Sequence, residues 1–156
     1  MRSLNKNDLV RIINFIREEW GSDKVVTRCK IYQIKELPGF IVLKKEKIMG
    51  LLTYNINNNE CEIITLNSTK KKVGIGSLLL KKVEELALSK KCNRLWVITT
   101  NDNTDALCFY QKKGFRIFKV HTDSIKDLRR LKPEIPFIGL NNIEIFDEIE
   151  LEKKLK

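Results

Sequence analysis

The chain has 156 residues, of which 42% are hydrophobic and 32% are charged, and its formal net charge is +10 at pH 7. This length and composition predict a single globular domain over residues 1–156 that can bury a proper core. The polar N-terminus and the lack of a long apolar run argue against a signal peptide and a membrane span, so we expect a cytoplasmic protein.

The cysteines are too widely spaced for a metal or disulfide motif. Cys29, Cys61, Cys92 and Cys108 include no Cys-x-x-Cys pair, and His121 is the only histidine. We therefore expect reduced, buried thiols and no metal site. His121 has no partner motif and is expected to be an ordinary residue at the end of a strand.

The excess positive charge is concentrated in one part of the chain. Residues 70–94 contain eight lysine or arginine residues and only two glutamates. Such a cluster favours a polyanionic partner, either a phosphorylated cofactor or a nucleic acid.

The first part of the chain predicts a helix followed by an antiparallel meander. Asn7 is a suitable N-cap for the helix and Gly21 a suitable stop. Residues 24–38 match no clear pattern. Strands at 39–43 and 48–54, a turn at 55–59 and a further strand from residue 61 complete the meander.

The second part predicts alternating strands and helices. A helix from residue 75 and a strand at 94–100 follow the meander, and a strand–helix–strand unit of this length implies a parallel pair. A strand at 115–120, a helix opened by Ser124, and strands at 143–146 and 149–151 follow. The predicted fold class is α/β, with a mixed central sheet flanked by helices.

A glycine turn joins the last meander strand to the following helix. Its centre is the run Lys71-Lys72-Val73-Gly74-Ile75-Gly76-Ser77. Such a turn presents backbone N–H groups at a helix N-terminus, where the partial positive charge favours a phosphate. The spacing does not supply a P-loop, and Leu79 stands where a dinucleotide fingerprint needs glycine or alanine.

Two segments together resemble the GNAT superfamily of acyl-CoA N-acyltransferases. The glycine turn is similar to its pyrophosphate loop, Arg/Gln-x-x-Gly-x-Gly/Ala, with Lys71 in place of Arg or Gln. Residues 103–115 resemble its second motif, Asn-x-x-Ala-x-x-x-Tyr-x-x-x-Gly-Phe. The matching residues there are Asn103, Ala106, Tyr110, Gly114 and Phe115.

The resemblance implies a GNAT-like fold in which the mixed sheet joins the antiparallel meander to the parallel pair. It also implies acetyl-CoA as the cosubstrate, with the turn cradling its pyrophosphate and the preceding strand aligning its pantetheine arm. The implied cofactor-binding residues are Leu66, Asn67, Lys71, Lys72, Val73, Gly74, Ile75, Gly76, Ser77, Asn103 and Tyr110. The backbone N–H near Leu66 would stabilise the developing oxyanion.

Two residues are candidates for proton transfer when an amine attacks the acetyl group directly in a ternary complex. Tyr110 matches the tyrosine of the family motif and is the expected general acid; the alternative is a packed core tyrosine. Glu62 lies on the strand leading to the glycine turn and is a candidate general base; the alternative is a solvent-facing glutamate. Strand alternation predicts that Glu62 shares a face with Ile64 and Leu66.

The sequence leaves the acceptor and the assembly open. We expect an unidentified amine acceptor bound among residues 22–39 and 121–142, in a monomer or a homodimer. Two other function classes remain alternatives: a basic nucleic-acid-binding domain and a CoA-binding regulatory domain without turnover. Neither a helix-turn-helix nor an aromatic RNA-binding pattern supports the nucleic-acid alternative.

Overall fold

The computed structural model describes residues 1–28, 30–70 and 73–156. Within them, the fold is the predicted mixed α/β class: seven strands form a mixed sheet that combines antiparallel strands with a parallel pair, and helices flank it. The strands are β1 (Arg2–Ser3), β2 (Lys24–Thr27), β3 (Lys30–Gln33), β4 (Gly39–Lys44), β5 (Lys47–Asn57), β6 (Glu60–Ser68), β7 (Arg94–Thr100), β8 (Arg116–His121) and β9 (Glu148–Lys154). The α-helices are α1 (Leu9–Trp20), α2 (Ile75–Ser89), α3 (Thr104–Lys112) and α4 (Ser124–Leu131).

The chain divides into two compact units. The first, unit 1, contains residues 1–25, 32–95 and 155–156, and the second, unit 2, contains residues 26–31 and 96–154. The short strands β2 and β3, which the sequence left unassigned, form a separate two-stranded sheet.

The sheet of unit 1 is the predicted meander, with strand order β1-β4-β5-β6 and antiparallel pairing throughout. A two-residue turn at Lys45 and Glu46 joins β4 to β5, and both residues have positive φ. Asn58 and Asn59 also have positive φ and make the next turn, so β5 continues three residues further than a turn over 55–59 predicts. Asparagine tolerates this left-handed conformation better than most residues do.

The core of unit 1 lies between α1 and one face of this sheet. Ile12 and Ile16 of α1 are buried against Ile41 and Leu51 of the sheet. The predicted N-cap at Asn7 is wrong, because a 3₁₀ turn precedes the helix and Asn5 caps that turn by accepting a bond from the Asn7 N–H. The stop at Gly21 is confirmed, with φ of 73°.

Helix α2 packs closely on β5 because of a glycine. A Cβ at Gly50 would lie 2.4 Å from Ile75 Cγ2 and 2.9 Å from Leu79 Cδ1. Since both contacts come from the first turns of α2, Gly50 lets the start of this helix approach the strand. The position of the glycine turn therefore depends on a residue in another element.

Unit 2 contains residues 96–100 of β7, followed by α3, β8, α4 and β9, with strand order β7-β9-β8. The predicted strand at 143–146 is wrong: only Glu144 bridges another residue, Ile138, and the strand begins at Glu148. Backbone groups in this stretch bond instead to loops, as when the Ile145 N–H donates to the Phe137 carbonyl oxygen at 2.8 Å.

Candidate active site

The segment between β6 and α2 is tied to the neighbouring strand at its start. The Thr69 N–H donates to the Met49 carbonyl oxygen at 3.1 Å, and the Ser68 hydroxyl donates to the Lys70 carbonyl oxygen at 2.8 Å. These bonds fix where the chain leaves the sheet. The predicted phosphate-binding residues Lys71 and Lys72 lie outside the described residues.

The N-terminus of α2 has no side-chain cap. Gly74 occupies the N-cap position with φ of 85° and makes no side-chain capping bond, and a Cβ built there would meet no atom of the described residues within 4 Å. The backbone N–H groups of Ile75, Gly76 and Ser77 belong to the first turn, where an α-helix offers them no carbonyl partner. Val73 and Gly74 are exposed and residues 75–77 are half-buried, and a helix N-terminus of this kind favours an anion.

The end of β6 carries an unsatisfied polar atom. Leu66 and Asn67 are half-buried and pair with Leu52 and Leu51 of β5. The side-chain oxygen Oδ1 of Asn67 is buried and has no hydrogen-bond partner among the described residues. A buried acceptor without a donor is costly, and it suits a segment that receives a polar ligand.

Glu62 is buried rather than solvent-facing, with 4% of its surface exposed. Its Oε2 accepts a hydrogen bond of 2.7 Å from the Tyr32 hydroxyl. The predicted face is wrong for Leu66, because the register between β5 and β6 slips by one residue at Ile64. Glu62 therefore lies opposite Asn55, on the face that carries Thr65.

The cysteines of unit 1 are inert packing residues. Cys61 and Cys92 are buried free thiols, and burial, followed by the proximity of Cys92 and Glu62, raises the pKa of Cys61 to about 12. A thiol in this state is protonated near neutral pH and is a poor nucleophile. The expectation of buried thiols is wrong for Cys108, which is exposed on α3, and Cys29 lies outside the described residues.

The second motif forms α3 and its two ends. Asn103 is the N-cap, and its Oδ1 accepts a hydrogen bond from the Ala106 N–H at 3.2 Å. Gly114 follows the helix with φ of 87°, as predicted for a left-handed C-terminal position. Tyr110 is buried between Phe109 and Phe115, with ring centroids 5.2 and 5.3 Å away, and burial raises its pKa.

Comparison with known proteins places these elements in one family. Residues 7–115 match the acetyltransferase (GNAT) family, a span that includes the glycine turn, Glu62 and Tyr110. The chain belongs to the GNAT acetyltransferase family. This acetyltransferase is 41% identical over 143 residues to the uncharacterised protein YxbD of Bacillus subtilis (strain 168), a match covering 91% of the chain and 90% of YxbD.

Solved structures share the fold at lower identity. One is a Bacillus subtilis acetyltransferase in complex with CoA, with a TM-score of 0.69 and 18% identity, covering 98% of this chain and 95% of that one. Another is a GNAT family acetyltransferase of Elizabethkingia anophelis with acetyl-CoA bound, with a TM-score of 0.69 and 24% identity, covering 97% and 92%.

Sequence reasoning missed a buried carboxylate pair in unit 2 of the acetyltransferase. Glu150 contacts His121 Nε2 at 3.0 Å and Arg28 at 3.5 Å, while Glu148 accepts a 3.0 Å bond from the Thr27 hydroxyl. His121 therefore has a partner, although it does lie at the end of β8. The two glutamates alternate along β9, but that pattern is typical of exposed strand residues and gave no warning of burial.

A second missed residue is Asp102, which follows β7 and is 4% exposed. Its Oδ2 accepts a 2.8 Å bond from the Leu140 N–H, whereas its Oδ1 has no hydrogen-bond partner among the described residues. Gly139 allows this approach, since a Cβ there would overlap the Asp102 carboxylate. Asp102 thus fastens the loop before β9 to the start of α3.

Residues 1–28, 30–70 and 73–156 of the acetyltransferase contain neither a metal-binding cluster nor a membrane-spanning helix. No group of three or more histidine, cysteine, aspartate or glutamate side chains is arranged to hold a metal ion. No helix in the same ranges is both long and apolar enough to span a membrane.

Proposed function

We propose that the protein transfers an acetyl group from acetyl-CoA to an amine acceptor by direct attack in a ternary complex. The observation that carries the proposal is the open, uncapped N-terminus of α2, lying within the span that matches the GNAT family. The acetyltransferase structures of Bacillus subtilis and Elizabethkingia anophelis, which contain CoA and acetyl-CoA, support the same donor.

The proposed donor site uses backbone groups of unit 1. The N–H groups of residues 73–77 would hold the pyrophosphate, assisted by Lys71 and Lys72, and Leu66 and Asn67 would align the pantetheine arm. The orphaned Asn67 Oδ1 and the open space at Gly74 fit such a ligand. When bound, acetyl-CoA would supply the thioester whose acetyl group is transferred.

The proposed chemistry needs two proton transfers and one oxyanion donor. Glu62 would accept, directly or through water, the proton that the amine loses as its nitrogen bonds to the acetyl carbon. Tyr110 would donate a proton to the departing thiolate, and its raised pKa keeps the phenol protonated at neutral pH. The Leu66 N–H would stabilise the negative charge on the carbonyl oxygen, and Asn103 would help hold the donor.

The acceptor is proposed only as an amine, bound by residues from 22–39 and 121–142. A cytoplasmic location is also proposed: Cys61, Cys92 and Cys108 are free thiols, as expected in a reducing compartment. The family match does not favour a nucleic-acid-binding domain.

The first experiment is thermal unfolding of the purified protein with acetyl-CoA, CoA, ATP or NAD. A ligand at ~100 times its dissociation constant should stabilise the protein by about 2.7 kcal/mol, which raises Tm by roughly 5–10 °C in a domain of this size. Stabilisation by acetyl-CoA and CoA, but not by ATP or NAD, is the expected result. No shift with either CoA ligand would contradict the donor site.

A panel of amines is then assayed for CoA release in the presence of acetyl-CoA. The expected result is turnover with at least one class of amine. Stabilisation by acetyl-CoA without turnover across polyamines, amino acids, peptides and aminoglycosides would favour a regulatory domain instead.

A further inference from the structure

Tyr32 comes from β3, in the part of the chain that the sequence left unassigned. Its ring is half-buried and packs against the core cluster that contains Ile12 and Ile64. Its hydroxyl donates to Glu62 Oε2 at 2.7 Å across thirty positions of sequence. The ring therefore packs in the core, and the hydroxyl donates to the Glu62 carboxylate.

Glu62 and most of its described neighbours on the sheet are buried. Glu62 is 4% exposed, and the hydroxyls of Thr53 and Thr65, on the same face of the sheet, are 2.9 Å apart. Asn55 is its neutral cross-strand partner on β5. The adjacent Cys61 is a protonated thiol near neutral pH, since its pKa is about 12.

A hydrogen bond from a neutral phenol to a carboxylate acts on both the charge and the geometry of the acid. Burial disfavours the ionised form of a carboxyl group, whereas a donated O–H favours that form. Bonds of this kind are shorter and stronger than neutral ones, and 2.7 Å lies within the range expected for O–H···O⁻ contacts. The bond also restricts rotation of the Glu62 side chain.

We propose that Tyr32 is a positioning residue for Glu62, holding the carboxylate ionised and oriented so that it can take the proton of the acceptor amine. The inference rests on the proposed function, because it assumes that Glu62 is the general base. It adds a residue from β3, which the sequence left unassigned.

The first test measures Glu62 directly, without turnover. Protein labelled with ¹³C at the glutamate carboxyl carbons is titrated by NMR, and the Glu62 signal is assigned by its loss in Glu62→Gln. In Tyr32→Phe, which keeps the ring, the midpoint of the Glu62 titration should move to higher pH by about one to two units. An unchanged midpoint in a folded Tyr32→Phe protein overturns the proposal.

Tyr54→Phe is the matched control. Tyr54 is also a half-buried tyrosine of unit 1, but it stacks on Phe40 on the opposite face of the sheet, with centroids 5.9 Å apart. Its loss should leave the Glu62 titration at the wild-type midpoint. A shift as large as that of Tyr32→Phe would mean that any tyrosine substitution in this core has the effect, and would overturn the specific role of Tyr32.

The second test is kinetic and uses the first amine that gives turnover in the panel. The acid limb of the kcat/KM profile should move to higher pH in Tyr32→Phe, lowering kcat/KM about ten- to hundredfold below the limb, while the KM for acetyl-CoA stays the same. A uniform loss at every pH would indicate a purely structural role and overturn the proposal. Full turnover in Glu62→Gln would instead overturn the base assignment in the proposed function, whatever the Tyr32 titration shows.

Discussion

The helices α2 and α3 each begin with a family motif, but their N-termini are capped differently. At α3 the side chain of Asn103 accepts the Ala106 N–H, so the first turn already has a partner within the protein. At α2 the N-cap is Gly74, which makes no side-chain capping bond and has open space around it. Within the described residues, a side chain caps the start of α3 and none caps the start of α2.

This difference separates two kinds of functional residue. The motif at α2 offers backbone N–H groups. It therefore needs a glycine that can adopt positive φ, and it does not need a reactive side chain. The motif at α3 instead supplies a side chain, Tyr110, which is buried against the rings of Phe109 and Phe115. Tyr110 lies seven residues after Asn103, the N-cap of the same helix. Before α1, the Asp8 carboxylate pairs with Arg2 and accepts the Asn5 N–H, which closes the preceding 3₁₀ turn.

The largest expected effect tests the side-chain role of α3. Tyr110→Phe should slow acetyl transfer by about 10²–10⁴-fold, because a general acid is lost, and should leave acetyl-CoA affinity near wild type, because the ring remains. Rates with an amine from the panel and calorimetric titration with acetyl-CoA measure the two quantities. Tyr54→Phe is the control, and wild-type turnover in Tyr110→Phe would remove Tyr110 from the mechanism.

The next effect tests the open start of α2. Gly74→Asp should abolish the thermal stabilisation by acetyl-CoA, about 2.7 kcal/mol at ~100 times the wild-type dissociation constant, because a carboxylate would occupy the anion site. Gly21→Asp is a matched control: Gly21 also has positive φ, 73°, and a Cβ there also meets no atom within 4 Å. Both variants bear similar backbone strain, so stabilisation retained in Gly74→Asp would contradict the phosphate-site assignment.

A smaller effect concerns the ion pair before α1 and depends on pH. Asp8 is buried, and its hydrogen bond from Arg2 holds its pKa at about 2, below the ordinary value of 3.8. A lowered pKa in the folded state stabilises the protein above the ordinary value, and this stabilisation is lost as pH falls from about 4 to about 2. In urea unfolding, Asp8→Asn should lower the free energy of unfolding by about 1–3 kcal/mol at pH 7. Near pH 2 the variant should differ little from wild type. An equal difference at both pH values would rule out this linkage.

The smallest effect tests the cap of α3. Asn103→Ala should lower the free energy of unfolding by about 1 kcal/mol, because the Ala106 N–H loses its acceptor. Acetyl-CoA affinity distinguishes the two roles of Asn103. Affinity that falls with stability supports the proposed contact with the donor, whereas unchanged affinity leaves Asn103 as a cap alone.

Local sequence patterns were enough to predict much of the secondary structure of this protein. The glycine turn, the cap at Asn103, the left-handed Gly114 and the meander depend on backbone conformation and on neighbours a few residues away, so the sequence specifies them. The same holds for the stop of α1 at Gly21. The strand predicted at 143–146 fails because its backbone groups find partners in loops that no local pattern reveals.

The sequence by itself determined the fold class, the family motifs and the positions of Gly74 and Tyr110 on their helices. Only the tertiary structure decided the orientation and burial of Glu62: a one-residue slip at Ile64 sets its face, and Tyr32, thirty positions earlier, donates a hydrogen bond to it. The same is true of Gly50, whose missing side chain admits the start of α2. Burial and hydrogen-bond partners of this kind join residues far apart in the chain, so they arise from packing and cannot be encoded in a local pattern.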